Sequence, residues 1–118
     1  MDTLKCKARL KIFRSGTSFG PGTAELMEHI QATQSLKESC RMMGMAYSKG
    51  WKILKRAEED LGLQVIVSSR GGKSGGTTML TEDGKRFLAA YRSMEREMNQ
   101  TLAEGMEKYF KDYLETKE

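Results

Sequence analysis

The sequence predicts a mainly α fold with a small antiparallel β-sheet, an α+β protein ending in a long helix. Three observations carry that prediction. A capped short helix, a glycine and a longer helix follow one another over residues 35–62. Two strand-forming runs flank a glycine-rich loop over residues 65–80. From Thr81 onward, apolar residues recur at steps of three and four. A short helix, a tight turn, a longer helix and then a hairpin is the order of a winged helix-turn-helix. Residues 1–92 are assigned to that domain, and residues 93–118 continue its C-terminal helix as a dimerisation element.

Element by element, Lys7-Ala8-Arg9-Leu10-Lys11-Ile12 alternates charged and apolar residues, which predicts a half-buried strand with Ala8, Leu10 and Ile12 on one face. Gly16, Gly20 and Gly22 mark a loop, and Pro21 suits the first turn of a helix, where its missing N–H has no partner to lose. Leu26, Met27 and Ile30 give that helix an apolar stripe ending near Thr33. Ser35-Leu36-Lys37-Glu38 reads as a capping box, with Ser35 accepting from the amide of residue 38 and Glu38 reaching back to the amide of residue 35. Gly44 ends the short helix, because glycine turns left-handed at low cost. The next helix starts near Ala46 or Tyr47, keeps Gly50, Ile53, Leu54, Ala57 and Leu61 on one side, and stops at Gly62 with Leu63 making the closing apolar contact. Trp51 is expected to pack inward. Val65-Ile66-Val67 and Thr77 to Leu80 form the two strands of a hairpin. Thr81 caps the last helix, with Glu82 and Asp83 near the positive end of its dipole.

Composition narrows the function. The 118 residues are 38% hydrophobic and 31% charged with one proline, so the chain is globular. Its longest uncharged run is Ser15 to Ala24, far short of the ~20 apolar residues of a membrane helix. No signal-peptide hydrophobic region precedes it. Cys6 and Cys40 are too few for a disulfide scaffold and read as reduced thiols, so a cytoplasmic location is expected. The single histidine, His29, has no Cys or His at ligand spacing, and no nucleophile–base pair or paired carboxylate stands in a recognisable setting. No enzyme activity, metal or cofactor is therefore expected.

Positive charge is concentrated. Residues 1–20 carry five Lys/Arg against one acid, residues 35–56 carry six against one, and residues 70–76 add Arg70 and Lys73. Such clustering suits a polyanion. In a helix-turn-helix with Gly44 in the turn, a small residue is needed four positions earlier where the helices cross. Cys40 stands there; Met45 and Ile53 fall at packing positions, and Gly50 permits close approach. The first turns of the second helix then enter the major groove. Tyr47, Ser48, Lys49, Lys52, Lys55 and Arg56 are the candidate DNA contacts on that helix, and Arg70, Lys73 and Ser74 those on the wing. Gly72-Lys73-Ser74 imitates the end of a P-loop, but Val67 stands where that motif needs glycine and a strand follows instead of a helix, so nucleotide binding is excluded.

Phe19-Gly20-Pro21-Gly22, the Ser35 helix, Met45-Ala46-Tyr47-Ser48-Lys49-Gly50-Trp51, and Gly71-Gly72-Lys73-Ser74-Gly75-Gly76 leading to Leu80-Thr81 and Gly84 resemble one known domain. It is the N-terminal winged-helix domain of ModE-type molybdate-responsive regulators, itself similar to the LysR-type DNA-binding domain. The resemblance covers roughly residues 5–92, and the tyrosine–tryptophan helix followed by the glycine wing is its most specific part. It implies a homodimeric, sequence-specific transcriptional regulator with the Tyr47–Lys52 turns in the major groove of double-stranded DNA. Ala46 departs from the family, which usually places a capping serine there. The family's C-terminal oxyanion-binding domains lie outside these 118 residues, so no molybdate response is expected.

The last helix supplies the expected dimer seam. Phe87, Tyr91, Met94, Met98, Leu102 and Met106 are its candidate interface residues, and Tyr109 and Tyr113 extend the stripe. The spacing is close to a heptad seam with one extra residue near Leu102. The alternative is a helix folded back on its own domain with a break at Gly105. A second reading of the whole chain, from another functional class, is a winged-helix interaction module whose C-terminal helix binds a partner protein.

Overall fold

A computed structural model describes residues 3–16, 19–69 and 76–114. The element order is α1 (Pro21–Thr33), α2 (Leu36–Met42), α3 (Tyr47–Leu61), β1 (Ile66–Ser69), β2 (Thr77–Leu80) and α4 (Glu82–Leu114). The fold is α+β: four helices, the last 33 residues long, and one two-stranded antiparallel sheet. Ile66 pairs with Leu80 and Ser69 with Thr77, so Ile66 and Leu80 face the core while Val67 and Met79 face outward. The core is built mainly from Leu26, Met27 and Ile30 of α1, Leu36 and Cys40 of α2, and Leu54 and Ala57 of α3. Phe19, Leu88 and Tyr91 close it, with Phe19 edge-on to both Phe87 (4.7 Å) and Tyr91 (4.9 Å). No described helix is long and apolar enough to cross a membrane.

Most local signals hold. Pro21 opens α1 behind Gly20, and Gly44 and Gly62 both take positive φ, +66° and +73°. Thr81 Oγ1 accepts from Gly84 N at 2.8 Å, capping α4. Gly84 itself is demanded by packing, because a β-carbon there would sit 2.4 Å from the carbonyl oxygen of Val65. The capping box is only half formed. Ser35 Oγ accepts from Glu38 N at 3.0 Å, but Ser35 N donates to Thr33 Oγ1 (3.2 Å) and the Glu38 carboxylate turns to Arg41 instead.

Two expectations change, and one feature of the folded-back alternative is not found. The alternating N-terminal run is no regular strand: it makes one isolated bridge, Ile12 to Phe19, and most of residues 3–11 is exposed. A ladder needs a neighbouring strand, and among the described residues only that pair of bonds is made. The segment runs back along α4 instead, where Thr3 Oγ1 donates to the carbonyl of Leu114 and residues 3–6 face Leu102 and Met106 across a groove. Helix α4 does not break at Gly105; its non-helical residue is Phe110. Tyr91, expected on the dimer seam, is 1% exposed inside its own subunit, its hydroxyl donating to Leu10 O at 2.7 Å. Burial pushes that phenol up.

Helix α4 gives the molecule its length. At 1.5 Å per residue its 33 residues span ~50 Å, and the whole molecule measures 65 × 30 × 21 Å. The radius of gyration is 18.2 Å, against about 13.5 Å for a compact chain of this size. The far half of α4 therefore stands out as an arm.

Candidate nucleic-acid interface

Helix α3 buries Gly50, Leu54, Ala57 and Leu61, which recur at three- and four-residue steps and define its inner face. The opposite side is consequently the one carrying Ser48, Lys49, Lys52 and Arg56, all exposed, and Tyr47 stands exposed where the helix begins. Lys49, Lys52 and Arg56 have no ion-pair partner among the described residues, and the net field of this face is positive. Lys55 differs from them. Its ammonium lies 3.1 Å from Glu58 Oε1 and 4.5 Å from the centre of the Trp51 ring, so part of its charge is already met. Trp51 does not pack inward: it is 38% exposed on the flank of α3 beside Lys55. One hundred degrees per residue places it between the inner and outer faces, and the local pattern does not decide which way such a residue turns. On the wing, Arg70, Lys73 and Ser74 lie outside the described residues. Ser69 and Thr77, the last described hairpin pair, join hydroxyls at 2.6 Å.

What fixes α3 against the rest of the molecule is closeness at one end and carboxylates at the other. A β-carbon on Gly50 would lie 2.3 Å from Cys40 Sγ, so α2 and α3 cross with no side chain between them on α3. The turn is closed by Met45 N donating to Cys40 O at 3.0 Å and Gly44 N to Arg41 O at 3.1 Å. Burial pushes the Cys40 thiol up, so it acts as a small apolar filler. Ala46 precedes α3 with extended dihedrals and makes no side-chain cap.

The far end of α3 carries two acidic residues that the sequence reading passed over. Glu58 Oε2 accepts from Val65 N (2.9 Å) and Ile66 N (3.2 Å), setting where β1 leaves the helix. Asp60 Oδ2 accepts from Arg14 N at 2.8 Å, and Asp60 Oδ1 from Ser15 N at 2.8 Å and Gly16 N at 3.2 Å. Arg14 returns the favour at the helix end, donating to the carbonyls of Asp60 (3.1 Å) and Leu61 (3.3 Å). A signal for both existed. Acids in the last turns of a helix oppose its dipole, so their presence at Glu58 and Asp60 points to partners elsewhere in the fold.

The arm is pinned to the core by a fork. Arg92 donates from Nη2 and Nε to Glu28 at 2.6 and 3.1 Å and from Nη1 to Glu95 at 2.6 Å, tying α4 to α1. The Arg92 hydrogen bond holds the Glu28 carboxyl below its ordinary range. Beyond that point the seam residues remain on the surface: Met94 is 53% exposed, and Met98, Leu102 and Met106 are half-buried.

No protein-family profile matches the chain. Similarity to individual proteins does exist. The chain is 29% identical over 94 residues to the molybdenum-pterin-binding protein MopB of Rhodobacter capsulatus, covering 80% of this chain and 35% of that protein. It is 28% identical over 87 residues to the molybdenum transport protein ModE of Azotobacter vinelandii, 74% of this chain and 32% of the relative. Over 88 residues it is 25% identical to the DNA-binding transcriptional dual regulator ModE of Escherichia coli strain K12, 75% of this chain and 32% of the relative. Its curated relatives are ModE and MopB proteins. The chain spans about a third of their length.

Proposed function

We propose that this chain is a ModE-type winged helix-turn-helix that binds double-stranded DNA sequence-specifically, as a homodimer, and regulates transcription. The observation that carries the reading is the outer face of α3, where Lys49, Lys52 and Arg56 stand exposed without carboxylate partners beside Tyr47 and Ser48. A solvated helix ordinarily pairs such charges at three- or four-residue spacing, as Lys85 and Arg86 do at the start of α4. The relative described as a DNA-binding transcriptional regulator supports the same reading. Tyr47 and Ser48 reach base edges, Lys49, Lys52 and Arg56 contact phosphates, and Arg70, Lys73 and Ser74 of the wing follow the neighbouring backbone or minor groove. Lys55, held by Glu58 and Trp51, contributes less.

The dimer half of the proposal rests on the arm. Met94, Met98, Leu102 and Met106 form a seam with a second copy, and two recognition helices then address half-sites about one DNA turn apart. Residues 93–118 act as the dimerisation extension of the domain. The relatives' names tie them to molybdenum, but no molybdate role is carried over to these 118 residues, so molybdate should leave melting temperature and DNA affinity unchanged. A shift in either would place sensing within them.

The test is selection of genomic fragments by the purified chain, followed by titration of a selected duplex at several salt concentrations. A steep loss of affinity with salt and a recovered motif of two half-sites are expected. Absence of duplex binding at low salt would leave the protein-interaction module, with α4 engaging another protein, as the reading that stands.

A further inference from the structure

Beside the recognition helix lies a cleft that the sequence reading did not assign. Its walls come from four separate places: the N-terminal segment, the start of α1, the turn before α3 and the flank of α3. Arg9, Lys11 and Arg56 line it, together with Gly20, Met45 and Ile53, and its volume is about 240 Å³. Among the described residues no carboxylate lines it. None of the three cations has an ion-pair partner among the described residues. Three like charges facing one hollow repel one another, which lowers stability unless something negative sits between them.

The cations are also held in place. Arg9 and Lys11 are two residues apart on extended backbone and so project to one side, whereas Leu10 between them turns its backbone to Tyr91. Ile12 and Phe19 exchange backbone hydrogen bonds at 2.8 and 3.1 Å, and Asp60 grips residues 14–16 just beyond. The Lys11 chain lies across Gly20, with Cγ 3.6 Å and Cε 3.8 Å from where a β-carbon on that glycine would be. The α1 first turn beneath carries no acid. Arg56, seven residues after Lys49 on α3, joins this cleft to the recognition face over ~10 Å of helix.

We infer that the Arg9–Lys11–Arg56 cleft seats a phosphate of the DNA backbone just outside the major groove, with Arg9 and Lys11 bringing to it charge from outside the recognition helix and the wing. The inference rests on the DNA-binding reading above. The chemistry favours backbone over base. Two of the three cations approach from outside the helix that enters the groove, and point charges gathered in a shallow hollow recognise phosphate without reading sequence. The function of the N-terminal alternation follows: Leu10 and Ile12 lean on the core while Arg9 and Lys11 are presented outward.

Arg9→Gln with Lys11→Gln tests it, since glutamine keeps the Cγ contact over Gly20 and removes the charge. Wild type, this double variant, Arg56→Gln and the remote control Lys108→Gln are titrated with a selected duplex across salt concentrations. The double variant should lower the slope of log affinity against log salt by up to about 0.9 and weaken all sequences alike, with Lys108→Gln unchanged. Phosphate-ethylation interference should lose one flanking backbone position in the double variant and keep the major-groove positions. An unchanged slope and interference pattern in a variant of wild-type melting temperature overturns the cleft, while DNA binding by the wild type keeps the functional reading. Failure of the wild type to bind overturns both. Inorganic phosphate separates the sources: tight binding of the free ion by the DNA-free protein, lost in the double variant, would make the cleft a small-anion site and overturn the backbone assignment.

Discussion

On α3, Lys49, Lys52 and Arg56 face solvent without a carboxylate, and the apolar side of the helix is fully covered. On α4 the arrangement is reversed. Lys85 lies 3.3 Å from Glu82, Arg86 4.0 Å from Asp83, and Arg92 2.6 Å from both Glu28 and Glu95, whereas Met94, Tyr109, Phe110 and Tyr113 stay exposed. Each region leaves something unmet. The front lacks negative charge, which DNA supplies under the proposed function; the arm lacks apolar cover, which a second copy supplies under the same proposal. Exposed ion pairs add little stability, so the contrast is better understood as a division of surfaces than as a difference in strength.

The largest effect expected is on the arm. Met94→Glu with Met98→Glu places two charges in the seam and should weaken the dimer by at least about 30-fold, equivalent to ~2 kcal/mol. Sedimentation of wild type and variant at tens of micromolar reads it directly. A variant as dimeric as wild type, or a monomeric wild type, moves the interface elsewhere. Inside the front region, Gly50→Ala should cost a comparable ~2–3 kcal/mol in unfolding free energy, because its β-carbon meets Cys40 Sγ at 2.3 Å and overpacked helix crossings relieve poorly. Chemical denaturation checks it, and a cost below ~0.5 kcal/mol would mean that the two helices separate easily.

The front was legible in the sequence because its signals are local. Ser35, Gly44 and Gly62 each act within a few residues of themselves, Cys40 and Gly50 meet across one ten-residue helical hairpin, and each stands in the structure where its chemistry requires. The arm was legible only in outline. One amphipathic stripe contains Tyr91, buried in its own subunit, and Met94, open to solvent three residues later; periodicity tells that a face is apolar but not what covers it. The Arg9–Lys11–Arg56 cleft and the grips of Glu58 and Asp60 join residues more than seven positions apart or on different elements, so no short window contains them.

Intermediate effects sharpen the front. Lys49→Ala with Lys52→Ala should flatten the salt slope by up to about 1.8 and reduce affinity for every sequence, with unfolding free energy within about 0.5 kcal/mol of wild type. Tyr47→Ala should instead alter sequence preference. Equal slopes for the lysine variant and wild type would remove these side chains from phosphates. Ala46→Ser restores an acceptor to the uncapped start of α3 and should raise stability by ~0.5–1 kcal/mol, read as a higher denaturation midpoint; no gain would mean that water already satisfies those amides.

The smallest effect concerns Arg92 and Glu28, among the described residues the one charge pair that joins two named elements. The hydrogen bond from Arg92, opposed in part by burial and reinforced by the charges of Arg92 and His29, holds the Glu28 carboxyl below its ordinary 4.5. A carboxyl lowered on folding contributes stability that is complete above its unfolded pKa and is lost as pH falls through the folded value. Glu28 is 45% exposed, so solvent screening limits the contribution to a few tenths of a kcal/mol. Denaturation midpoints measured from about pH 6 down to about pH 3 should therefore fall slightly less in Arg92→Met than in wild type, from a lower starting point. Lys49→Met has no folded carboxylate to release and should track wild type throughout. If Arg92→Met and wild type kept a constant separation at every pH, Arg92 would contribute through packing alone, and the charge pairs of the arm would be as idle in the folded protein as the unpaired charges of the front.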